Sequence, residues 1–115
     1  YNGNVISTVA ASKTIDIIQS NNILGNVIVR GKQIADGLKY IPHIDDVRQY
    51  GLFIAADISP NINVEDIIVA AIKNNLILIS CGQNSLRIIP PLIITSDEVD
   101  LFLDKLNHIM HSIIV

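Results

Sequence analysis

Apolar positions change their period several times along the chain, and each change marks an element. Between Asn4 and Gln19, Val5, Ile6, Val9, Ala10, Ala11, Ile15, Ile17 and Ile18 surround most of a helical circumference and leave only Lys13 and Asp16 charged. A helix apolar nearly all round has its place in an interior or an interface. Asn22 then offers an N-cap. Ile23, Leu24, Val27, Ile28, Ile34, Ala35, Leu38 and Ile41 follow at helical spacing until Pro42 stops them, which predicts a second, amphipathic helix. Gly25, Gly31 and Gly37 each weaken it by about 1 kcal/mol relative to alanine, so packing has to hold this helix or its first turn is irregular.

The period then shortens. Ile44 to Arg48 and Leu52 to Ile58 form two short strands joined around Gln49-Tyr50-Gly51, where glycine permits a tight turn. Both faces of the longer strand are largely apolar, which favours a central position. Asn63 caps a third helix with Asp66 at the capping-box position, and Asn74-Asn75 ends it. Leu76 to Cys81 is the next predicted strand, Gly82-Gln83-Asn84 a turn, and Leu86 to Ile89 a fourth strand that Pro90 and Pro91 end or push to an edge. Thr95 with Glu98 makes a further capping box, and Val99, Phe102, Leu103, Leu106, Ile109, Met110 and Ile113 sustain a helical stripe behind it. The order predicts an α+β, two-layer fold, with a small, mostly antiparallel sheet of three to four strands and helices packed against it.

Composition narrows the classes. A chain of 115 residues fits one domain, and half of its residues are hydrophobic while 17% are charged, below the roughly 25% of an ordinary domain. Part of that apolar surface is expected to meet a partner. A net charge of −3 without a basic run gives no phosphate-neutralising patch, which argues against nucleic acid. No apolar run reaches the length of a bilayer span and no secretory leader opens the chain, so the expectation is a soluble, cytoplasmic protein without membrane contact. Cys81 is the sole cysteine, which excludes an internal disulfide.

The candidate chemistry is sparse. His108 and His111 share a helix but lack a third ligand, and placement near a helix C-terminus explains them electrostatically. His43 is a loop residue beside Pro42. Cys81 has no histidine in a nucleophile motif and is expected as a buried, inert thiol. Asp45-Asp46 are adjacent acids at a turn, and Asp97-Glu98 have a role at a helix start. Ser7, Thr8 and Ser12 lack a nucleophile elbow and can bond back to helix carbonyls. Gly31-Lys32 lacks the rest of a phosphate loop. Arg87 stands apart, because Leu86, Ile88 and Ile89 around it offer a guanidinium nothing and no acid precedes it in the Cys81 to Leu92 stretch. It either meets a distant acid such as Asp57 or Asp46, or it keeps its bidentate fork for a ligand carboxylate.

Three stretches carry a resemblance: YNGNVISTVAA, IDDVRQYGLFIAADI and NNLILISCGQNSLRIIPPLIITSDEVD. Together they resemble the C-terminal portion of the class III pyridoxal-phosphate aminotransferases, most like the acetylornithine and ornithine branch. Val5 departs from the family's proline and Gln49 from a common glycine. The resemblance implies a linking helix over residues 1–20 and a small C-terminal domain over residues 21–115. It also implies that Arg87, as the arginine before the double proline, binds the substrate's α-carboxylate. The family's Schiff-base lysine, its ring-nitrogen aspartate and its serine-threonine pair precede the segment that this chain matches. The expectation is therefore a fragment inactive alone and without bound pyridoxal phosphate, from a parent that transfers an amino group between N-acetylornithine, or a similar ω-amino acid, and 2-oxoglutarate. Such a parent is a homodimer that carries the cofactor and serves arginine biosynthesis. The alternative is a free-standing, non-catalytic binding or interaction module with this fold, using its apolar first helix to associate.

Overall fold

A computed structural model describes residues 3–113; Tyr1 and Asn2, which open the YNGNVISTVAA segment, and residues 114–115 lie outside it. Helix α1 spans Val5–Ser20, with the Asn4 side chain accepting from the Ser7 N–H at its start. None of its residues is buried, and Val5, Ile6 and Val9 are 74%, 81% and 63% exposed. The helix stands against α2 and takes no part in the core. Helix α2 spans Ile23–Leu38. It ends before Ile41 and Pro42, earlier than its apolar spacing predicts, because residues 39–43 turn towards the sheet instead. Asn22 precedes it in the left-handed region (φ 50°) and gives no side-chain cap.

Strand β1 spans Ile44–Tyr50 and β2 spans Phe53–Ile58. Tyr50 faces Phe53 across their hairpin, whose turn needs Gly51 at φ +58°. Gly31 of α2 lies against this same turn: a Cβ there would run into the Gly51 carbonyl oxygen. The weak helix former is thus the residue that lets α2 approach the hairpin.

Helix α3 spans Val64–Lys73. Its cap bond runs from the Glu65 N–H to the Asn63 side chain, so Asp66 does not complete the expected capping box. Asn75, at φ 60°, turns the chain out of the helix. Strand β3 covers only Ile79–Cys81, half of the predicted run, because Leu76 still bonds back to the α3 end through its N–H to the Ala71 carbonyl. Strand β4 spans Ser85–Ile88 and stops short of Pro90. Helix α4 spans Ser96–Ser112, with both bonds of the Thr95–Glu98 capping box in place.

The antiparallel sheet has the order β1-β2-β4-β3 and places β2 and β4 centrally. Ile54, Ala56, Ile58, Leu86 and Ile88 point to one face, where they meet Ile34 and Leu38 of α2, Ile67 of α3 and Val99, Leu106, Ile109 and Met110 of α4. No polar or charged residue is buried among those described. No helix among them is long and apolar enough to cross a membrane. The fold is α+β, a four-stranded antiparallel sheet with helices on one side.

Candidate functional site: an arginine face on the open sheet

Strand alternation that sends Ile54, Ala56 and Ile58 inward sends Phe53, Ala55 and Asp57 outward. The same parity on β4 buries Leu86 and Ile88 and turns Ser85 and Arg87 out. Register aligns these outward residues into rows. Arg48, Ala55, Arg87 and Ile79 lie across the four strands in one row, and Asp46, Asp57, Ser85 and Cys81 in the next. Beyond Arg48 and Ala55, Tyr50 faces Phe53, which are 84% and 57% exposed. Two arginines therefore share one uncovered face, with only the small Ala55 side chain between them.

Their surroundings differ. Arg48 donates from Nη1 to Asp57 Oδ2 and, at 2.9 Å, from Nη2 to Asp57 Oδ1, a bidentate pair with the first bond at 2.6 Å. Ser85 Oγ donates to the same Oδ1 at 2.6 Å, and Asp46 stands 3.6 Å from Arg48 Nη1. The Arg48 hydrogen bonds, then that of Ser85, hold the Asp57 carboxyl down at about 2. Arg87 has none of this. Among the described residues it forms no ion pair, and its buried Nε has no hydrogen-bond partner. Its Cζ lies 6.0 Å from the centroid of the Phe53 ring, a cation–π contact that flanks the guanidinium without neutralising it. Both acids weighed from the sequence as partners for Arg87, Asp57 and Asp46, lie nearer Arg48. Arg30 also has a buried Nε without a partner, but its Nη1 is held by Gln33 on its own helix.

The other candidates disperse. Cys81 is exposed, contrary to the expectation of a buried thiol, because β3 is an edge strand and Cys81 points to its uncovered face. His108 lies exposed on α4, and His111 Nδ1 donates to the Asn107 carbonyl at 2.8 Å. No group of three or more potential metal-ligating side chains converges among the described residues. His43 sits in the loop at φ 69°. Asp45 accepts from Ser59 at 2.9 Å, and Glu98 is engaged in its cap with Thr95 while Asp97 occupies the same first turn. Thr8 bonds back to the Asn4 carbonyl at 2.8 Å, and Ser7 and Ser12 are on the exposed α1.

An imine-forming amine has to be available uncharged and beside the substrate. Lys13 lies on α1, and Lys32, Lys73 and Lys105 lie on helices other than α1, with Lys39 just past the end of α2. Helices α2, α3 and α4 cover the sheet face opposite Arg87. Lys32 donates to Asp36 at 2.8 Å, and that bond raises its pKa, the reverse of what a nucleophilic amine requires. The lysines on α2, α3 and α4 do not fit a Schiff-base site around Arg87.

The sequence pattern pointed to Arg87 and named Asp57 as a possible partner, but missed Arg48, Ser85 and Phe53 as its neighbours. Neither the outward parity of Phe53-Ala55-Asp57, on a strand whose two faces are both largely apolar in sequence, nor the register that sets it beside Ser85-Arg87 was legible.

Comparisons with known proteins bear on the family and the fold. The family model described as Aminotransferase class-III matches residues 1–110. The acetylornithine aminotransferase of Prochlorococcus marinus is 35% identical over 114 residues, covering 93% of this chain and 27% of that protein. The chain thus spans about a quarter of the length of such relatives. Among solved structures, a phospholyase from Arthrobacter in complex with phosphoethanolamine superposes with a TM-score of 0.88 at 21% identity, covering 97% of this chain and 30% of that one. The ornithine aminotransferase of Toxoplasma gondii ME49 superposes with a TM-score of 0.79 at 20% identity, covering 89% and 26%. At these identities the two structures speak for the fold, and the family match speaks for descent: the chain belongs to the class III aminotransferases, a family dependent on pyridoxal phosphate.

Proposed function

We propose that the chain is the carboxylate-recognising, C-terminal part of an aminotransferase that moves an amino group between N-acetylornithine, or a similar ω-amino acid, and 2-oxoglutarate. In this reading residues 1–20 are a linking helix and residues 21–115 the small domain of a cytoplasmic homodimer. The observation that carries it is Arg87, a strand-fixed guanidinium on the open sheet that has no acid partner among the described residues and is flanked by Phe53 and Ala55.

A planar fork of this kind matches a carboxylate bidentately, and the β4 backbone fixes where that carboxylate sits. Both substrates of the proposed reaction carry an α-carboxylate, so one arginine serves both half-reactions. Its contribution is orientation: with the carboxylate pinned, the adjacent carbon is aimed at the reacting centre, and such positioning is worth several kcal/mol of barrier, within the roughly 7–11 kcal/mol that full orientation supplies. The cofactor supplies the electron sink of transamination when bound. Residues of this chain do not hold it, and the chemistry at its ring belongs to polypeptide beyond the segment matched here.

In the intact enzyme, Arg87→Ala raises KM for amino and oxo acid alike and lowers kcat, and Arg87→Lys does not restore the wild-type values because an ammonium lacks the fork. Steady-state constants equal to wild type in both variants would remove Arg87 from the site. A second reading, a non-catalytic interaction module, draws on α1, whose apolar residues find no core here. It predicts a stable complex through α1 in which the Arg87 variants have no effect.

A further inference from the structure

Asp57 occupies a contested position. Arg48 and Arg87 both face Ala55 across the sheet, from opposite sides, and Asp57 is the next outward residue on the same strand. It is therefore the diagonal neighbour of both arginines, at about 7–8 Å between Cα atoms, a gap that an arginine side chain spans. An ion pair with Arg87 would occupy the fork that a ligand carboxylate needs.

We infer that Arg48 is a positioning residue for the carboxylate site: with Ser85 it holds Asp57 away from Arg87 and so keeps the Arg87 fork open. The inference rests on the reading of Arg87 as the carboxylate grip. Geometry supports it on three counts. Arg48 takes both oxygens of Asp57, which leaves no free edge for a second fork. Ser85, directly opposite Asp57 and two residues before Arg87, donates to Oδ1 and loads the oxygen from the β4 side. Arg87 meanwhile turns to Phe53, on the side of Ala55 away from Asp57, where no acid stands. Even at the ordinary aspartate pKa of about 3.9 Asp57 is an anion across the neutral range, so without Arg48 it would be a permanent competitor for Arg87. The charged or titratable groups that face it are Arg48 and Asp46 on β1, Arg87 on β4 and Cys81 on β3.

The test uses the 115-residue chain, with 2-oxoglutarate as the probe. The Asp57 carboxyl is titrated by side-chain carbon NMR and ligand binding is followed at the Arg87 Nε–H signal. In Arg48→Ala, Asp57 still titrates below the ordinary carboxylate range because Arg87 takes it up. Adding Arg87→Met to that variant raises Asp57 further, leaving only the Ser85 hydrogen bond to hold it down. Arg48→Ala also weakens 2-oxoglutarate about fivefold, the factor of a surface ion pair at the upper end of its usual strength, and Arg48→Ala with Asp57→Asn restores the wild-type affinity. A merely structural Arg48 would give no such rescue.

The inference is overturned if Asp57 in Arg48→Ala titrates the same with and without Arg87→Met while binding is unchanged, or if Asp57→Asn fails to restore a lost affinity. Should Arg48→Ala not fold, Ser85→Ala loosens only one bond to Asp57 and is expected to give a smaller weakening that Asp57→Asn abolishes; no weakening overturns the role. If Arg87 of the wild-type chain does not respond to 2-oxoglutarate although Asp57 passes to it in Arg48→Ala, the carboxylate reading fails and the positioning role with it. A response without that transfer removes the positioning role alone.

Discussion

Replacing Arg87 by methionine separates a residue kept for a ligand from one kept for the fold. Methionine preserves the long unbranched stem, and its sulfur can lie against Phe53, a contact worth about 0.3–1.5 kcal/mol. What is lost is the cation–π contact across 6.0 Å, about 0.5–1 kcal/mol at a partly open site. No ion pair is broken among the described residues. What is relieved is the buried Nε without a partner, a burden of about 1–3 kcal/mol for an unsatisfied polar group. These terms sum to a change between nearly neutral and about 4 kcal/mol of added stability, and each kcal/mol corresponds to about 4 °C in Tm for a domain of this size. Urea unfolding followed by circular dichroism, with m held equal between the two proteins, reads the difference as a shift in midpoint. Arg87→Met is expected to unfold at the wild-type midpoint or above it. A loss of more than about 1 kcal/mol would show that Arg87 holds the sheet together, and the argument for an uncommitted guanidinium would fail.

Other consequences follow from the same packing. Gly31→Ala drives a methyl group into the Gly51 carbonyl oxygen, a backbone atom that cannot swing aside, and should cost about 2 kcal/mol or more, read as a lowered unfolding midpoint. Asp57 is ionised more readily in the folded chain than in the unfolded one, so it stabilises the fold above the ordinary carboxylate pKa of about 3.9, and that contribution is lost as pH falls through the folded value of about 2. The full shift corresponds to roughly 2.5 kcal/mol, which screening at a carboxylate 34% exposed reduces to about 1 kcal/mol. Asp57→Asn should flatten the stability profile between about pH 4 and pH 2 by that amount, and an unchanged profile would contradict the pairing with Arg48. Thr95→Ala removes the hydroxyl that accepts from Glu98 at 3.2 Å and should lower stability by about 1 kcal/mol, with fraying of the first α4 turn visible in amide exchange.

Where local chemistry decides, the sequence could be read closely. Thr95 and Glu98 announced their capping box and Asn63 its cap. Where distant contacts decide, it could not. Asn75 turns the chain so that Leu76 to Leu78 leave α3 as irregular backbone, although their composition matches a strand. Cys81 looked like packing because its neighbours are apolar, yet an edge strand with one bare face leaves it in solvent. The partner of Arg87 was the hardest question, since Asp57 precedes it by thirty residues and Arg48 by still more. Only register decided which arginine takes the acid. The low charge has a similar outcome. Apolar residues in excess of the core's needs stand on α1, on the outer side of α2 and along the open sheet edge, as Ile6, Ile28 and Ile79 do.

The central claim is that Arg87 stays without a protein partner because a substrate carboxylate takes that place. A crystal structure of the intact enzyme with 2-oxoglutarate bound tests it most directly. The account predicts the α-carboxylate on the Arg87 guanidinium in two near-parallel bonds of about 2.7–2.9 Å, with Asp57 still on Arg48 and Ser85. A bound 2-oxoglutarate whose carboxylates both lie away from Arg87, with that guanidinium held by an aspartate or glutamate side chain, would contradict it.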